Sequence, residues 1–122
     1  MGQSGILLLV TGILTAGAGI GMIFPRQLLE ILLGDRTSEP TTLLMARHWS
    51  LLVGLVGGLL IYAAFHPEVR GPAMVVGAAE KFALGGLVLA SPLRRRVLTM
   101  AIVGADAVMA LLYVAFLAQN VR

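Results

Sequence analysis

The chain contains no cysteine among its 122 residues. Disulfides, thiolate metal sites, thiol redox chemistry and palmitoylation are therefore excluded. Charged residues are scarce, at 12%, whereas an average soluble domain carries about a quarter. The sequence has no phosphate-binding glycine loop, zinc motif or nucleophile elbow. These absences argue against a soluble-type enzyme, and we expect neither a metal nor a cofactor.

Apolar residues are plentiful instead, at 58%, and the mean hydropathy is +0.94. They form stretches near the roughly 20 residues that an α-helix needs to cross a bilayer core. We predict an all-α integral membrane four-helix bundle, one domain over residues 1–122, with spans at about 4–24, 42–65, 72–90 and 96–118. Residues 26–33 are apolar but too short to cross, which predicts an interfacial helix followed by a polar turn.

The basic residues lie mostly between the apolar stretches, so the net charge of +3 indicates membrane orientation rather than nucleic-acid binding. Five arginines fall on the side of the first and third loops and two on the other side. The five are Arg26, Arg36, Arg94, Arg95 and Arg96, and the two are Arg70 and Arg122. This bias predicts a bacterial inner membrane protein with both termini outside the cytoplasm, and leaves a dual or inverted topology as the alternative.

Four charged residues fall within the predicted spans. Glu80, Lys81 and Asp106 lie near the centres of their helices, and Arg47 lies about 10 Å from the centre of its own at 1.5 Å per residue. A charge at mid-bilayer costs at least about 2.5–3.5 kcal/mol, so none is expected to face lipid unpaired. Small residues border these charges at every fourth position. We therefore predict one buried cluster of two positive and two negative charges.

The cluster has three interpretations. It is a structural ion-pair network that fixes helix register, a protonatable site for transport or for a polar head group, or a contact with another subunit. Tyr113 shares a helix face with Asp106 and is expected to close the bundle there. His48 and Trp49 raise a haem or quinone hypothesis, although a bis-histidine site needs a partner subunit and Trp49 also suits an interfacial anchor.

Glycines mark the expected contacts between helices, because small residues let backbones approach closely. The predicted packing positions are Gly17, Gly21, Gly54, Gly58, Gly77 and Gly85. So small a bundle buries little, and its glycine faces favour a homo-oligomer or a membrane-protein partner.

Five short features occur along the chain in this order: a glycine-rich first helix, a proline-bounded loop, Ala46-Arg47-His48-Trp49, Ala79-Glu80-Lys81 and Asp106-Ala107. Together they resemble the DoxX-like group of small bacterial four-helix membrane proteins. The resemblance implies the four-helix fold, and some members of the group are associated with membrane oxidoreductase systems.

Three functions follow as hypotheses. The first is a non-enzymatic structural or accessory membrane component held by the ion-pair network. The second is a proton-coupled or small-molecule transporter that uses the charge cluster. The third is a membrane redox or lipid-modifying subunit that uses Arg47 and His48. A dry, fully paired cluster favours the first hypothesis, whereas a cluster that opens onto a cavity favours the second.

Overall fold

The computed structural model describes residues 2–34 and 39–120. Within those ranges every regular element is helical. The α-helices are α1 (Gln3–Gly17), α2 (Pro25–Leu33), α3 (Pro40–Phe65), α4 (Arg70–Leu89) and α5 (Val97–Asn120). Tighter 3₁₀ segments extend α1 over Ala18–Met22, lead into α4 over Pro67–Val69, and precede α5 over Pro92–Arg95.

Four of these helical stretches are long and apolar enough to cross a membrane. They are Gln3–Met22, Pro40–Phe65, Pro67–Leu89 and Val97–Gln119. The predicted helices are thus confirmed, with ends that differ by a few residues, and the predicted short helix at 26–33 is α2. Most of the predicted polar turn, at 35–38 with Arg36, lies outside the described residues, and so does Arg122.

Proline and glycine set the boundaries around α2. Pro25 has no N–H to continue the ladder of the preceding helix and becomes the first residue of α2. Gly34 ends α2 in the left-handed region, at φ 68°, where a side chain would be strained, and its N–H donates to the Glu30 carbonyl at 3.0 Å. The chain therefore turns sharply at both ends of α2.

The start of α5 at Val97 lies next to the predicted start of the last span at about residue 96, and a separate 3₁₀ turn precedes it. The Ser91 hydroxyl accepts from the Leu93 N–H at 3.2 Å and so caps the separate 3₁₀ turn. The backbone is then extended at Arg96, and α5 begins at Val97. The extended residue interrupts the helical ladder, so Ser91 caps the turn and not the span.

The long helices pack most closely as two pairs, α1 with α3 and α4 with α5, and the pairs meet through α3 and α4. Their shared core lies where α1 and α4 begin and α3 and α5 approach their ends. It consists of Leu8, Leu60, Ala63, Ala64, Ala73, Met74, Ala78, Ala110 and Tyr113. The opposite end of the assembly is covered by α2, which contacts α3 and α5.

Four of the six predicted packing glycines lie at helix contacts. A Cβ on Gly54 would lie 3.1 Å from the Gly19 Cα, and one on Gly77 would lie 3.1 Å from Leu60 and Tyr113. A Cβ on Gly85 would lie 3.4 Å from Val103. Gly21 is buried and packs against Ser50 and Leu28. These glycines bring neighbouring helices together as expected.

The predictions for Gly17 and Gly58 are wrong, because both are exposed and a Cβ on either would meet nothing within 4 Å. A stripe of every fourth residue drifts about 40° around an α-helix at each step, since the helix has 3.6 residues per turn. Ser50 is buried, and two such steps later, at Gly58, the stripe has left the contact. Gly57 takes its place, where a Cβ would fall on the backbone of Ala16.

Two arginines counted as orientation signals also bind backbone carbonyls at helix ends. Arg70 donates to the Ala63 and Ala64 carbonyls at 2.9 and 2.7 Å and to the Ser4 hydroxyl at 3.3 Å. Its guanidinium thus satisfies the end of α3 and joins it to the starts of α1 and α4. At the other end of the molecule, Arg96 donates to the Ile31 carbonyl at 2.8 Å and anchors α2 to the base of α5.

The adjacent glycines of α3 provide a matched test of the α1–α3 contact. We expect Gly57→Ala to lower the free energy of unfolding by about 1–3 kcal/mol, because the new methyl group overpacks the interface. Gly58→Ala should be neutral or slightly stabilising, since alanine favours a helix and the site is open. Thermal unfolding of both variants in one detergent checks this, and equal midpoints would contradict the described contact.

Glu39 caps the start of α3. Its carboxylate accepts from the Thr42 hydroxyl at 2.7 Å and from the backbone N–H groups of Thr41 and Thr42 at 3.0 and 2.7 Å. The hydrogen bond from the Thr42 hydroxyl, followed by the two backbone hydrogen bonds, lowers the pKa of Glu39 from 4.5 to about 2. A lowered pKa means that the cap is fully formed above pH 4.5 and is lost as the pH falls towards 2.

The hydroxyl of Thr42 should be the main cause of this lowered pKa. We expect Thr42→Val to move the pKa of Glu39 back towards 4.5, whereas Thr41→Val should leave it nearly unchanged because the Thr41 hydroxyl contributes least. The measurement is an NMR titration of the Glu39 carboxyl carbon. A Glu39 pKa that stays near 2 in both variants would show that the backbone hydrogen bonds alone set it.

Candidate functional site

Lys81 lies between the other charged side chains of the buried cluster, Glu80 and Asp106, and is only 2% exposed. Its ammonium nitrogen lies 3.3 Å from the Asp106 Oδ1 and 3.7 Å from the Glu80 Oε2. It also donates to the Thr15 hydroxyl at 2.9 Å. Lys81 thus joins α1, α4 and α5 at one point. The predicted juxtaposition of Glu80, Lys81 and Asp106 is present in the structure.

Two threonines of α1 provide the acceptors that face α4 and α5. The hydroxyls of Thr11 and Thr15 donate to carbonyls one turn earlier in their own helix, at Leu7 and Thr11, both at 2.7 Å. Their oxygens are then left to accept from outside the helix. The Tyr113 hydroxyl donates to Thr11, and Lys81 donates to Thr15. A polar ladder along α1 therefore links it to the α4–α5 pair.

Sequence reasoning did not single out Thr11 and Thr15. The signal was present, because two hydroxyl residues four positions apart share one face of a helix whose other residues are apolar or glycine apart from its first two. Both residues are buried, at 5% exposure. A buried hydroxyl needs a partner, so this pair pointed to donors on a neighbouring helix.

Arg47 does not join the cluster. The residues of that part of α3 that face the interior are Ala46 and Ser50, while Arg47 and His48 are exposed. Consecutive residues lie about 100° apart around a helix, so Arg47 is turned away when its neighbour Ala46 is buried. Trp49 is half-buried and lies at the cavity described below. The prediction that places Arg47 in the buried cluster is therefore corrected.

The loss of Arg47 changes the charge balance of the cluster. One ammonium group faces two carboxylates, a formal net charge of −1 where the sequence predicted neutrality. The side chains of Glu80 and Asp106 are 17% and 18% exposed. Glu80 Oε2 itself is buried, and among the described residues it has no hydrogen-bond partner. The Lys81–Asp106 pair is the closer one, and Glu80 is less well compensated.

A cavity of about 560 Å³ opens beside this cluster, between the two helix pairs and on the side covered by α2. Leu14, Met45 and Leu87 on its wall are 60%, 58% and 72% exposed, so the cavity opens to the outside of the helical assembly. Most of its wall is apolar. The polar residues of the wall are Thr15, Thr42, Glu80, Lys81, Thr99 and Asp106.

Tyr113, the remaining predicted candidate, is fully buried in the core and does not line the cavity. Its hydroxyl donates a hydrogen bond to the Thr11 hydroxyl, as described above. In the described part of the chain, no group of three or more histidine, aspartate or glutamate residues is placed to hold a metal ion. The arrangement at Lys81 is suited to holding a charge or exchanging a proton at the wall of an apolar cavity.

The salt bridge between Lys81 and Asp106 should be strongly coupled. We expect Lys81→Met alone to lower the free energy of unfolding by about 3–5 kcal/mol, because it leaves carboxylates buried without a cation. Adding Asp106→Asn should recover part of that loss, so the double variant is more stable than the sum of the single effects predicts. Unfolding of the four species in detergent measures the coupling. Strict additivity would rule out the direct pairing.

The chain can also be compared with known proteins. No family model, no curated protein and no solved structure matches it. The resemblance to DoxX-like proteins therefore stays a prediction from a few short segments. What the chain does has to be inferred from its own helices, charges and cavity.

Proposed function

We propose that this chain is a multi-pass membrane protein whose four long helices cross the bilayer, with α2 at the interface. The length and apolar character of those helices support this. Large apolar side chains are also exposed on every long helix, up to 72% at Leu87 and 85% at Val97. Monomeric soluble proteins rarely expose apolar patches of such extent, whereas lipid would cover them.

The proposal includes the location and orientation expected from the sequence. The basic residues at the α2 side and the start of α5 support an inner membrane protein with external termini. α2 suits the interface because Leu29 is buried while Arg26, Gln27 and Glu30 on its other face are exposed. A homo-oligomer stays a prediction.

Within the bilayer, we propose that the protein binds a small, largely apolar molecule with one polar or charged group. The observation that carries this is the cavity of about 560 Å³ with Glu80, Lys81 and Asp106 on its otherwise apolar wall. That volume lies within the range of about 300–1,000 Å³ found for small-molecule sites. The exposure of Leu14, Met45 and Leu87 on its wall supports an entrance towards lipid.

The structural role of the charges is part of this proposal. A network that only held helices together would be expected to be enclosed by well-packed side chains, since unfilled volume costs stability. Here Lys81 holds α1, α4 and α5 together and also forms part of the cavity wall. The second sequence hypothesis, a small-molecule site at the charge cluster, is therefore favoured over a purely structural component.

The redox hypothesis has less support. His48 and Arg47 are exposed and do not line the cavity, and only Trp49 of that segment does. With His48 facing outward, a bis-histidine site would need a histidine from a second chain. We therefore do not assign an enzymatic role to this segment.

The single tryptophan of the chain reports on the cavity directly, because Trp49 lines it. In lipid nanodiscs, we expect nitroxide-labelled dodecyl amphiphiles to quench Trp49 with a saturable dependence on concentration, for at least one head group among quaternary ammonium, sulfate and hydroxyl. Ala18→Phe fills part of the cavity and should weaken this saturable binding at least tenfold. Ala115→Phe, at an exposed position of α5, should leave it unchanged.

Two results would contradict the proposed function. One is quenching that rises linearly for all three head groups, as simple partition into lipid produces. The other is equal saturable quenching in the Ala18→Phe and Ala115→Phe variants, which would place the binding site elsewhere.

A further inference from the structure

The charge of the cavity wall indicates which ligand it takes. Among the described residues, Glu80, Lys81 and Asp106 are the only charged ones on that wall, and they carry one positive and two negative groups. All three lie in the middle of their helices, away from the helix ends whose partial charges act only within the first or last turn. Nothing on the described wall offsets the second carboxylate.

The contacts of Lys81 leave the excess negative charge mainly on Glu80. The ammonium group uses its shorter contacts for Thr15 and Asp106, at 2.9 and 3.3 Å, while Glu80 Oε2 lies 3.7 Å away. That oxygen is buried and has no hydrogen bond within the described residues. A buried, uncompensated carboxylate is unfavourable in an apolar surrounding, so this group needs either a proton or a second cation.

We propose that the cavity takes a lipophilic monocation, an ammonium group on an apolar body, and that its charge replaces one proton held by the Glu80 carboxyl group. The inference rests on the proposed function, since it names the ligand class of the same cavity. One cation enters as one proton leaves to water, so the net charge of the occupied site is the same before and after binding. The apolar wall then receives the body of the ligand.

Two features favour a cation over an anion. Lys81 is the only cationic group on the described part of the wall, and its ammonium group is already engaged with Asp106 and Thr15 rather than free for an anionic head group. Trp49 adds an aromatic ring to the same wall, and aromatic faces attract ammonium groups. An anion could not replace that proton, and its binding would leave the wall with a net negative charge.

The exchange involves one proton because few groups that titrate reach the cavity. Each helix contributes to the cavity wall. α2 contributes the apolar Leu28 and Leu29. The polar and aromatic wall residues of the other helices are Thr15 from α1, Thr42 and Trp49 from α3, Glu80 and Lys81 from α4, and Thr99 and Asp106 from α5. Only Glu80, Lys81 and Asp106 among these ionise. His48 of α3 is exposed and lies outside the wall, and Tyr113 is buried in the core.

The test compares head groups on one chain length. Nitroxide-labelled dodecyl probes that end in a quaternary ammonium, a sulfate or a hydroxyl group are titrated against Trp49 fluorescence at pH 6, 7 and 8. We expect the ammonium probe to bind at least tenfold more tightly than the sulfate probe. Its affinity should rise with pH by up to tenfold per unit, as required when one proton leaves per cation bound. Neither the quaternary ammonium nor the sulfate group titrates in this range, so any pH dependence comes from the protein.

Variants locate the charge that is responsible. Glu80→Gln should reduce the preference for ammonium over sulfate to less than threefold and remove most of the pH dependence. Glu68→Gln changes the net charge equally at an exposed position outside the cavity and should preserve both. The comparison of head groups on the unmodified protein needs no variant, so the test remains decisive even where Glu80→Gln fails to fold.

The outcomes separate this inference from the proposed function. Saturable binding that is tightest for sulfate, equal for all three head groups, or independent of pH would overturn the cation exchange and leave the binding cavity in place. An ammonium preference that persists in Glu80→Gln would overturn the role of that carboxylate. Absence of saturable binding by every probe would remove the proposed function and the inference together.

Discussion

The rest of the assembly depends on the contacts that the ammonium group of Lys81 makes with neighbouring helices. A cation that is 98% enclosed is stable only because Asp106 and Thr15 approach it from two other helices. Those contacts fix how far α1 lies from α4 and α5, and the Tyr113–Thr11 hydrogen bond repeats the same link two turns away along α5. The polar ladder on α1 therefore sets the spacing of the two helix pairs, and the apolar core packs around that spacing.

The cavity follows from the way each pair is packed. Within the α1–α3 pair, small residues let the backbones meet, as where Gly57 lies against Ala16. The α4–α5 pair is close at Gly85 and Val103. Side chains of the core fill the space between the pairs around Tyr113, whereas the space beside Lys81 remains open as the cavity. Tight contacts within pairs and a polar group held between them leave an open volume there, and α2 covers one side of it.

Hydropathy and the positions of proline were enough to predict the helices and the short α2, because both properties are local. The joining of Lys81 with Asp106 also followed from the sequence, since charges in apolar helices require partners. Gly58 was misplaced because a stripe of every fourth residue drifts around a helix and has left the contact two steps after the buried Ser50, whereas Arg47 was misplaced because it lies about 100° around the helix from the buried Ala46. No single residue indicates the cavity in the sequence. It depends on how completely side chains from different helices fill a shared space.

The attachment of α2 has a consequence for the way the cavity opens. Along the chain α2 belongs with α1, yet Arg96 binds the Ile31 carbonyl and fastens its end to α5. Leu28 and Leu29 of α2 line the cavity. The cover is therefore attached to both helix pairs, since it contacts α3 and the 3₁₀ extension of α1, while Arg96 holds it at the start of α5. A ligand that enters from this side has to separate α2 from one pair or the other.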